Sequence, residues 1–220
     1  MSNVIALVPL GIEDVPETSG ALARVRGATL LEHTVRRLID SGHVDRVVVA
    51  GPHATRSACA TALRGFDDER VSLVPGGQDH QESVRCAVHS TAAASGDVVL
   101  VHEPTRPFTP PETIGAVVAA VRDGATAAVP VEPMTDTVKV VDTTGVVRRT
   151  SDRDRLRRTQ SPRGFTAEFL RRADITKALA FVDLAVRTVP GHPHGMRVST
   201  AFERTVAESL FAEWVGEGQA

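Results

Sequence analysis

The sequence predicts an α/β fold in three layers: a mostly parallel sheet with helices on both faces, and a β-hairpin excursion late in the chain. Three observations carry this. Short runs such as Val98-Val99-Leu100-Val101 are apolar throughout rather than alternating, as in strands buried on both faces. Between such runs lie segments whose apolar residues recur at helical spacing. This alternation of strand and helix repeats from residue 4 to residue 131 and then changes character.

Residues 4–8 form the first buried strand and run into a long polar loop, 9–20, which carries Glu13 and Asp14. A helix is expected over 29–41, where Leu30, Leu31, Val35, Leu38 and Ile39 form one stripe. Residues 46–50 are the second strand, closed by Gly51-Pro52; 54–63 is a helix and 71–74 the third strand. After Gly76-Gly77, Asp79 and Glu82 stand at capping-box spacing and start a helix through Val84, Ala87, Val88 and Ala92.

The strand at 98–101 ends in His102-Glu103-Pro104-Thr105-Arg106-Pro107. That polar, proline-stiffened loop falls at the carboxyl edge of the sheet, where open α/β sheets bind ligands. From this stretch alone, Glu103 and Arg106 read equally well as a loop ion pair or as site residues. Thr109 and Glu112 repeat the capping spacing, with proline near the first turn, and that helix runs to about Asp123. A fifth strand spans 127–131. Residues 137–141 and 146–150, around a turn at 143–145, read as a hairpin. The segment 151–164 is basic and polar; its arginine run reads either as a solvated mixed-charge face or as a site for an anionic ligand, the latter favoured only at Arg153. Then come a short helix at 167–172, strands at 186–189 and 196–199, and a final helix from Thr200. That helix has Glu203 three residues on and Phe202, Val206, Leu210 and Trp214 on one stripe.

The length of 220 residues suits a single domain, 1–220, with 136–165 as an arm within it. A net charge of −2 gives no general attraction to nucleic acid or acidic membranes, and the absence of Tyr argues against base-stacking platforms. No apolar run reaches membrane-span length, and Met1-Ser2-Asn3 lacks the charged start of a signal peptide. Cys59 and Cys86 sit in helical patterns without metal spacing, and His102, His192 and His194 have no ligand partners at such spacing. The expectation is a reduced, cytoplasmic protein with no protein-held metal.

Several spaced motifs coincide with a known family. They are Leu30-Leu31-Glu32-His33-Thr34, Gly76-Gly77 through Ser83-Val84, and residues 98–107. Further on come Pro133-Met134-Thr135-Asp136-Thr137-Val138-Lys139, residues 150–156, Gln160-Ser161-Pro162 and Arg197-Val198-Ser199-Thr200. Together they resemble the 2-C-methyl-D-erythritol 4-phosphate cytidylyltransferases of isoprenoid precursor synthesis. The resemblance implies a nucleotidyltransferase (Rossmann-like) fold with a projecting hairpin arm. It also implies a reaction of CTP with methylerythritol phosphate that releases pyrophosphate, with Mg²⁺ present only on the bound triphosphate. By resemblance, Gly11, Gly76, Gly77, Ser83, Glu103 and Arg106 serve the nucleotide. Thr137, Arg153 and Ser161 serve the phosphosugar, while Arg197 faces the phosphates and, with Arg153, ranks as catalytic. The arm implies a homodimer with substrate groups acting across it.

The departures are concentrated in the first loop. The family has a Gly-rich loop with an arginine, followed by Pro-Lys, whose N–H groups and cations hold the triphosphate. Here the loop reads Pro9-Leu10-Gly11-Ile12-Glu13-Asp14-Val15, and Ser19-Gly20 stands at the Pro-Lys position. One glycine remains, both cations are gone and two acids are present. His80 replaces an arginine, Pro104 removes a backbone donor, and the segment between Arg172 and Val186 is shortened. Two functions follow: a cytidylyltransferase of weakened activity, or a catalytically inactive paralogue that binds a ligand or regulates a partner.

Overall fold

The structure, a computed structural model, describes residues 2–14, 20–66 and 69–217, with side chains as far as residue 212. Alternation along the first strand, β1 (Val4–Pro9), sets the layers. All six of its residues are buried. Val4, Ala6 and Val8 pack into one apolar cluster, and Ile5 and Leu7 into another on the opposite face. The chain continues through β2 (Arg24–Val25), β3 (Ala28–Thr29), α1 (Leu30–Asp40), β4 (Arg46–Gly51) and α2 (Arg56–Ala62). Next come β5 (Val71–Pro75), α3 (His80–Ser90), β6 (Val98–Val101), α4 (Pro111–Arg122) and β7 (Ala127–Pro133). Beyond it lie β8 (Lys139–Val141), β9 (Val147–Thr150), β10 (Arg157–Thr159), β11 (Arg163–Thr166), α5 (Ala167–Arg172), α6 (Ile175–Leu179), β12 (Val186–Pro190) and α7 (Ala201–Glu217).

The main sheet runs β10-β7-β11-β6-β1-β4-β5, with β12 also paired to β7. β6, β1, β4 and β5 are mutually parallel, as are β7 and β12, while β10 and β11 run antiparallel to their neighbours. Helices α1, α2 and α4 cover one face through Leu31, Val35, Cys59, Ile114 and Val117. Helices α3, α5 and α6 cover the other through Val84, Ala87, Leu170 and Ile175. This is the three-layer, mostly parallel arrangement expected from the alternating pattern. The hairpin also forms: β8 and β9 pair antiparallel as a separate two-stranded sheet.

Four expectations are corrected. Only about 134–156 leave the sheet as an excursion, because 157–166 return to it as β10 and β11, the latter wedged between β6 and β7. That return places Ser161 and Arg163 beside the end of β6. Residues 196–199 are not a strand; Val198 is tied by one backbone bond to the Thr105 carbonyl. Thr109 does not cap α4. Pro110 holds the cap position, and the Thr109 hydroxyl turns to the Arg106 and Ser161 carbonyls. The face of α7 that packs is Ala207, Leu210 and Phe211, against Ala23, Val25, Leu30, Phe108 and Val198, whereas Phe202 is 77% exposed. The Trp214 side chain lies outside the described residues, as do Val15 and Ser19. The caps at Asp79 and Thr200 form as the spacing predicts, though Glu82 reaches Gln78 N–H rather than the cap residue's own.

Gly164 and Phe165 in β11 point to opposite layers. A Cβ on Gly164 would lie 2.5 Å from Val117 Cγ1 in α4. Phe165 is fully buried on the α3 side. Gly164→Ala should therefore lower the unfolding free energy by about 1–3 kcal/mol through overpacking. Phe165→Ala should lower it by about 3–5 kcal/mol through lost burial and a cavity. Urea denaturation measures both, and a Gly164→Ala midpoint equal to wild type would show that α4 yields freely.

Candidate functional site

The carboxyl edge of β6 and β1 opens into a cavity of about 430 Å³, whose lining includes Glu13, Asp14, His80, Glu103, Arg163 and Arg197. Glu103 is its centre. Its carboxylate takes Arg106 Nε at 2.8 Å and meets Arg197 at 3.4 Å and Arg163 at 3.5 Å. Arg106 is anchored further by donating to the Gly195 carbonyl. Burial works to raise the Glu103 carboxyl, but Arg106, with Arg197 and Arg163 behind it, outweighs this and holds it below the ordinary carboxylate range. One tight pair and two looser contacts result, so three guanidiniums share one carboxylate.

The backbone beneath Glu103 is fixed by a buried network. Ser161, 1% exposed, accepts the Glu103 N–H at 2.8 Å and lies 3.1 Å from His102 Nδ1. His102 Nε2 is 3.1 Å from the Arg106 carbonyl. That carbonyl can only accept, so Nε2 carries the proton and Nδ1 accepts from the Ser161 hydroxyl. Complete burial pushes the His102 pKa down to about 4, so the ring is neutral at pH 7. The Ser161 proton and one of its lone pairs are thus engaged inside the protein.

The first loop closes the opposite wall. Gly11 N–H donates to Asp14 Oδ2 at 2.9 Å, and Ile12 N–H to the Gln78 carbonyl at 2.9 Å. The Glu13 carboxylate folds back over Gly11 and occupies the space a Cβ there would need. Burial raises the Asp14 carboxyl, partly offset by the Gly11 N–H and by His80. Burial likewise lowers His80, against the pull of Asp14. The loop's neighbours are Gly76, Gly77 and Ser83. Ser83 donates to the Leu10 carbonyl at 2.7 Å and accepts Gly77 N–H at 3.0 Å. A Cβ on Gly76 would stand 2.7 Å from Gly51 N, so close backbone passage alone requires glycine there.

Of the residues singled out from the sequence, Glu103 and Arg197 line the cavity, Arg106 stands directly behind Glu103, and Ser161 lies beneath. Gly11, Gly76, Gly77 and Ser83 come together beside it through the first loop. Arg24 and Arg26 do not turn toward it: Arg24 bonds the Gly27 carbonyl and Arg26 the Glu208 carbonyl. Thr137 and Arg153 are exposed on the arm, with the Arg153 guanidinium on the Thr135 carbonyl. Sequence reasoning passed over Arg163, Thr105 and Ser199. Arg163 was hidden in a run of arginines; its signal is the apolar Gly164-Phe165 that follows, which marks re-entry into the core.

The family profile described as 2-C-methyl-D-erythritol 4-phosphate cytidylyltransferase matches residues 14–213. The protein of that name from Saccharopolyspora erythraea is 42% identical over an alignment covering 96% of this chain and 100% of its own. The one from Rhodococcus jostii is 37% identical, covering 96% of each. A solved structure, that of 2-C-methyl-D-erythritol 4-phosphate cytidylyltransferase from Thermus thermophilus, superposes with a TM-score of 0.73 at 25% identity, covering 96% of this chain and 98% of the other. The chain belongs to the 2-C-methyl-D-erythritol 4-phosphate cytidylyltransferase family.

Proposed function

We propose that this protein transfers a cytidylyl group from CTP to 2-C-methyl-D-erythritol 4-phosphate and releases pyrophosphate, at a rate limited by its first loop. The observation that carries the reading is the Glu103-centred arginine cluster at the carboxyl edge of the sheet, in a chain of this family. An acceptor phosphate oxygen attacks the α-phosphorus in line, and the bond to the β-phosphate's bridging oxygen breaks. The chain's part is positioning and charge neutralisation. Arg197, loosely held by Glu103, is free to turn toward the phosphates. Glu103 and Arg106, with the 76–83 turn, frame the nucleotide side.

The residues present do not form a metal cage of their own. Glu103 faces three guanidiniums, and among the described residues no three His, Cys, Asp or Glu side chains gather at metal-binding geometry. Mg²⁺ enters this reading only as part of the CTP substrate, with phosphate and water oxygens as its ligands.

Gly11 N–H supports the second reading, a catalytically inactive paralogue, because that donor is taken by Asp14 rather than left for a phosphate. The two readings separate in one assay of pyrophosphate release from CTP and methylerythritol phosphate. Wild type should turn over slowly. Glu13→Gln/Asp14→Asn, which removes two negative charges from the wall, should raise kcat/KM for CTP about tenfold, equivalent to ~1.4 kcal/mol of barrier. Product from neither protein would leave the inactive paralogue.

The arm points to a homodimer. Val141, Val146 and Val147 are 54%, 49% and 56% exposed. A two-stranded hairpin is at best marginal in water without a packing partner. A second copy would cover it and bring Thr137 and Arg153 to the neighbouring cavity as acceptor-binding groups. Light scattering at micromolar concentration should give twice the chain mass. A monomer there would remove the shared site.

A further inference from the structure

Three features set Arg163 apart from the other arginines of 153–163. It leaves the solvated arm and enters the sheet, in register with Val101 at the end of β6. Its guanidinium lines the cavity that holds Glu13, Asp14 and Arg197. Its Nε is buried with no hydrogen-bond partner, as is the Thr105 hydroxyl in the same lining. A guanidinium has five donors, and a buried one left without an acceptor costs free energy. Among the described residues Arg163's carboxylate contact is Glu103 at 3.5 Å, whereas Glu103's short bond is to Arg106. The three guanidiniums and one carboxylate therefore leave an excess of two positive charges in the cluster, and two of those guanidiniums, Arg163 and Arg197, line the cavity.

The placement of Arg163 is also supported from behind. Its guanidinium lies over the Phe181 ring, 5.9 Å from the centroid, at the outer edge of cation–π range. Phe181 has φ +55, a left-handed conformation that a bulky residue adopts only at a cost of roughly 1–3 kcal/mol. The end of α6 holds it there: Phe181 N–H bonds the Ala178 carbonyl at 3.2 Å, and Val182 N–H bonds Lys177 at 2.9 Å. The strained turn follows α6 directly and presents its ring to the arginine.

We propose that Arg163 is a second polyphosphate-binding residue of this cavity, acting beside Arg197 in place of the cation missing from the first loop. Its ligand is the triphosphate of a nucleotide or the pyrophosphate that leaves it. The proposal deepens the cytidylyl-transfer reading and rests on it. The wall opposite is acidic, so a polyphosphate seats on the Arg163–Arg197 side and away from Glu13 and Asp14. Phe181 is a positioning residue that limits where the guanidinium can point.

Titration calorimetry with inorganic pyrophosphate and Mg²⁺ at moderate salt tests this. Wild type should bind, and Arg163→Gln should weaken binding tenfold or more. Arg163→Met keeps the buried stem without the orphan donor, and should fold at least as well with the same loss. Arg163→Lys should recover most of the affinity. Arg158→Gln, on the exposed Arg158–Glu132 pair, should match wild type. CTP should follow pyrophosphate across the series, whereas a phosphomonoester such as glycerol phosphate should bind all variants alike. Wild-type affinity for pyrophosphate in Arg163→Met, or no pyrophosphate binding by wild type, overturns the proposal. Turnover by Arg163→Met with an unchanged KM for CTP would sink this site while leaving cytidylyl transfer standing. Arg163-dependent pyrophosphate binding without any turnover would do the reverse.

Discussion

A single carboxylate, that of Glu103, makes the rest of the site physically possible. Three guanidiniums stand within 3.5 Å of its oxygens at the mouth of a half-buried cavity. Unit charges of like sign ~4 Å apart repel by about 4 kcal/mol at an effective dielectric of ~20. Without a shared counter-ion, Arg106, Arg163 and Arg197 would splay into solvent. With it they converge, and because one negative charge cannot neutralise three positive ones, the assembly keeps a net attraction for anions. The unequal distances decide the division of labour. Arg106 is locked between Glu103 and the Gly195 carbonyl, whereas Arg163 and Arg197 hold their carboxylate contacts at lengths an incoming phosphate can replace.

Glu103 can act in this way because its backbone does not move freely. Its N–H rests on Ser161, Ser161 on His102, and His102 on the carbonyl of Arg106, closing a ring of hydrogen bonds beneath the ion pair. A neutral imidazole is required, since a charged ring would offer Ser161 a donor where an acceptor is needed and add a fourth cation to the cluster. Complete burial keeps it neutral. The return of the chain as β11 between β6 and β7 delivers Ser161 and Arg163 together. The same stretch thus supplies both a support for Glu103 and one of its partners.

What could be read from the residues alone was what is periodic or locally capped. The layers followed from uninterrupted apolar runs such as 98–101, and the helix starts from Asp79 and Thr200. The edge loop at 102–107 was legible as cavity lining because a buried strand that ends in polar residues marks where the sheet opens. The split of the arm was not legible. Residues 157–163 are rich in arginine and polar, with no alternation to mark a strand, and their place in the sheet is set by pairing with β7 and β6, which are far away in sequence. The packed face of α7 was misread for a related reason. Its stripe has two apolar choices, and only the tertiary partners Phe108 and Val198 select Ala207, Leu210 and Phe211 over Phe202.

The two walls of the cavity bear opposite charge, and this asymmetry constrains how any anionic ligand lies in it. On one side two described residues of the first loop, Gly11 and Ile12, have satisfied their own donors. Gly11 N–H goes to Asp14 and Ile12 N–H to Gln78, so no array of free N–H groups points inward from these residues. On the other, Arg163 and Arg197 present donors that their present partners leave underused. Burial raises Asp14 toward its neutral form, which softens the repulsion without reversing it. A triphosphate therefore gains by shifting its outermost phosphates toward β11 and the 195–199 segment. In the proposed reaction such a shift would also move the α-phosphorus relative to the acceptor. In-line attack tolerates little misplacement, with errors near 1 Å costing about a hundredfold in rate. In the cytidylyl transfer proposed here, geometry would then slow turnover alongside the acidic first loop, since positive charge on the other wall can bind the ligand well and still hold it off line.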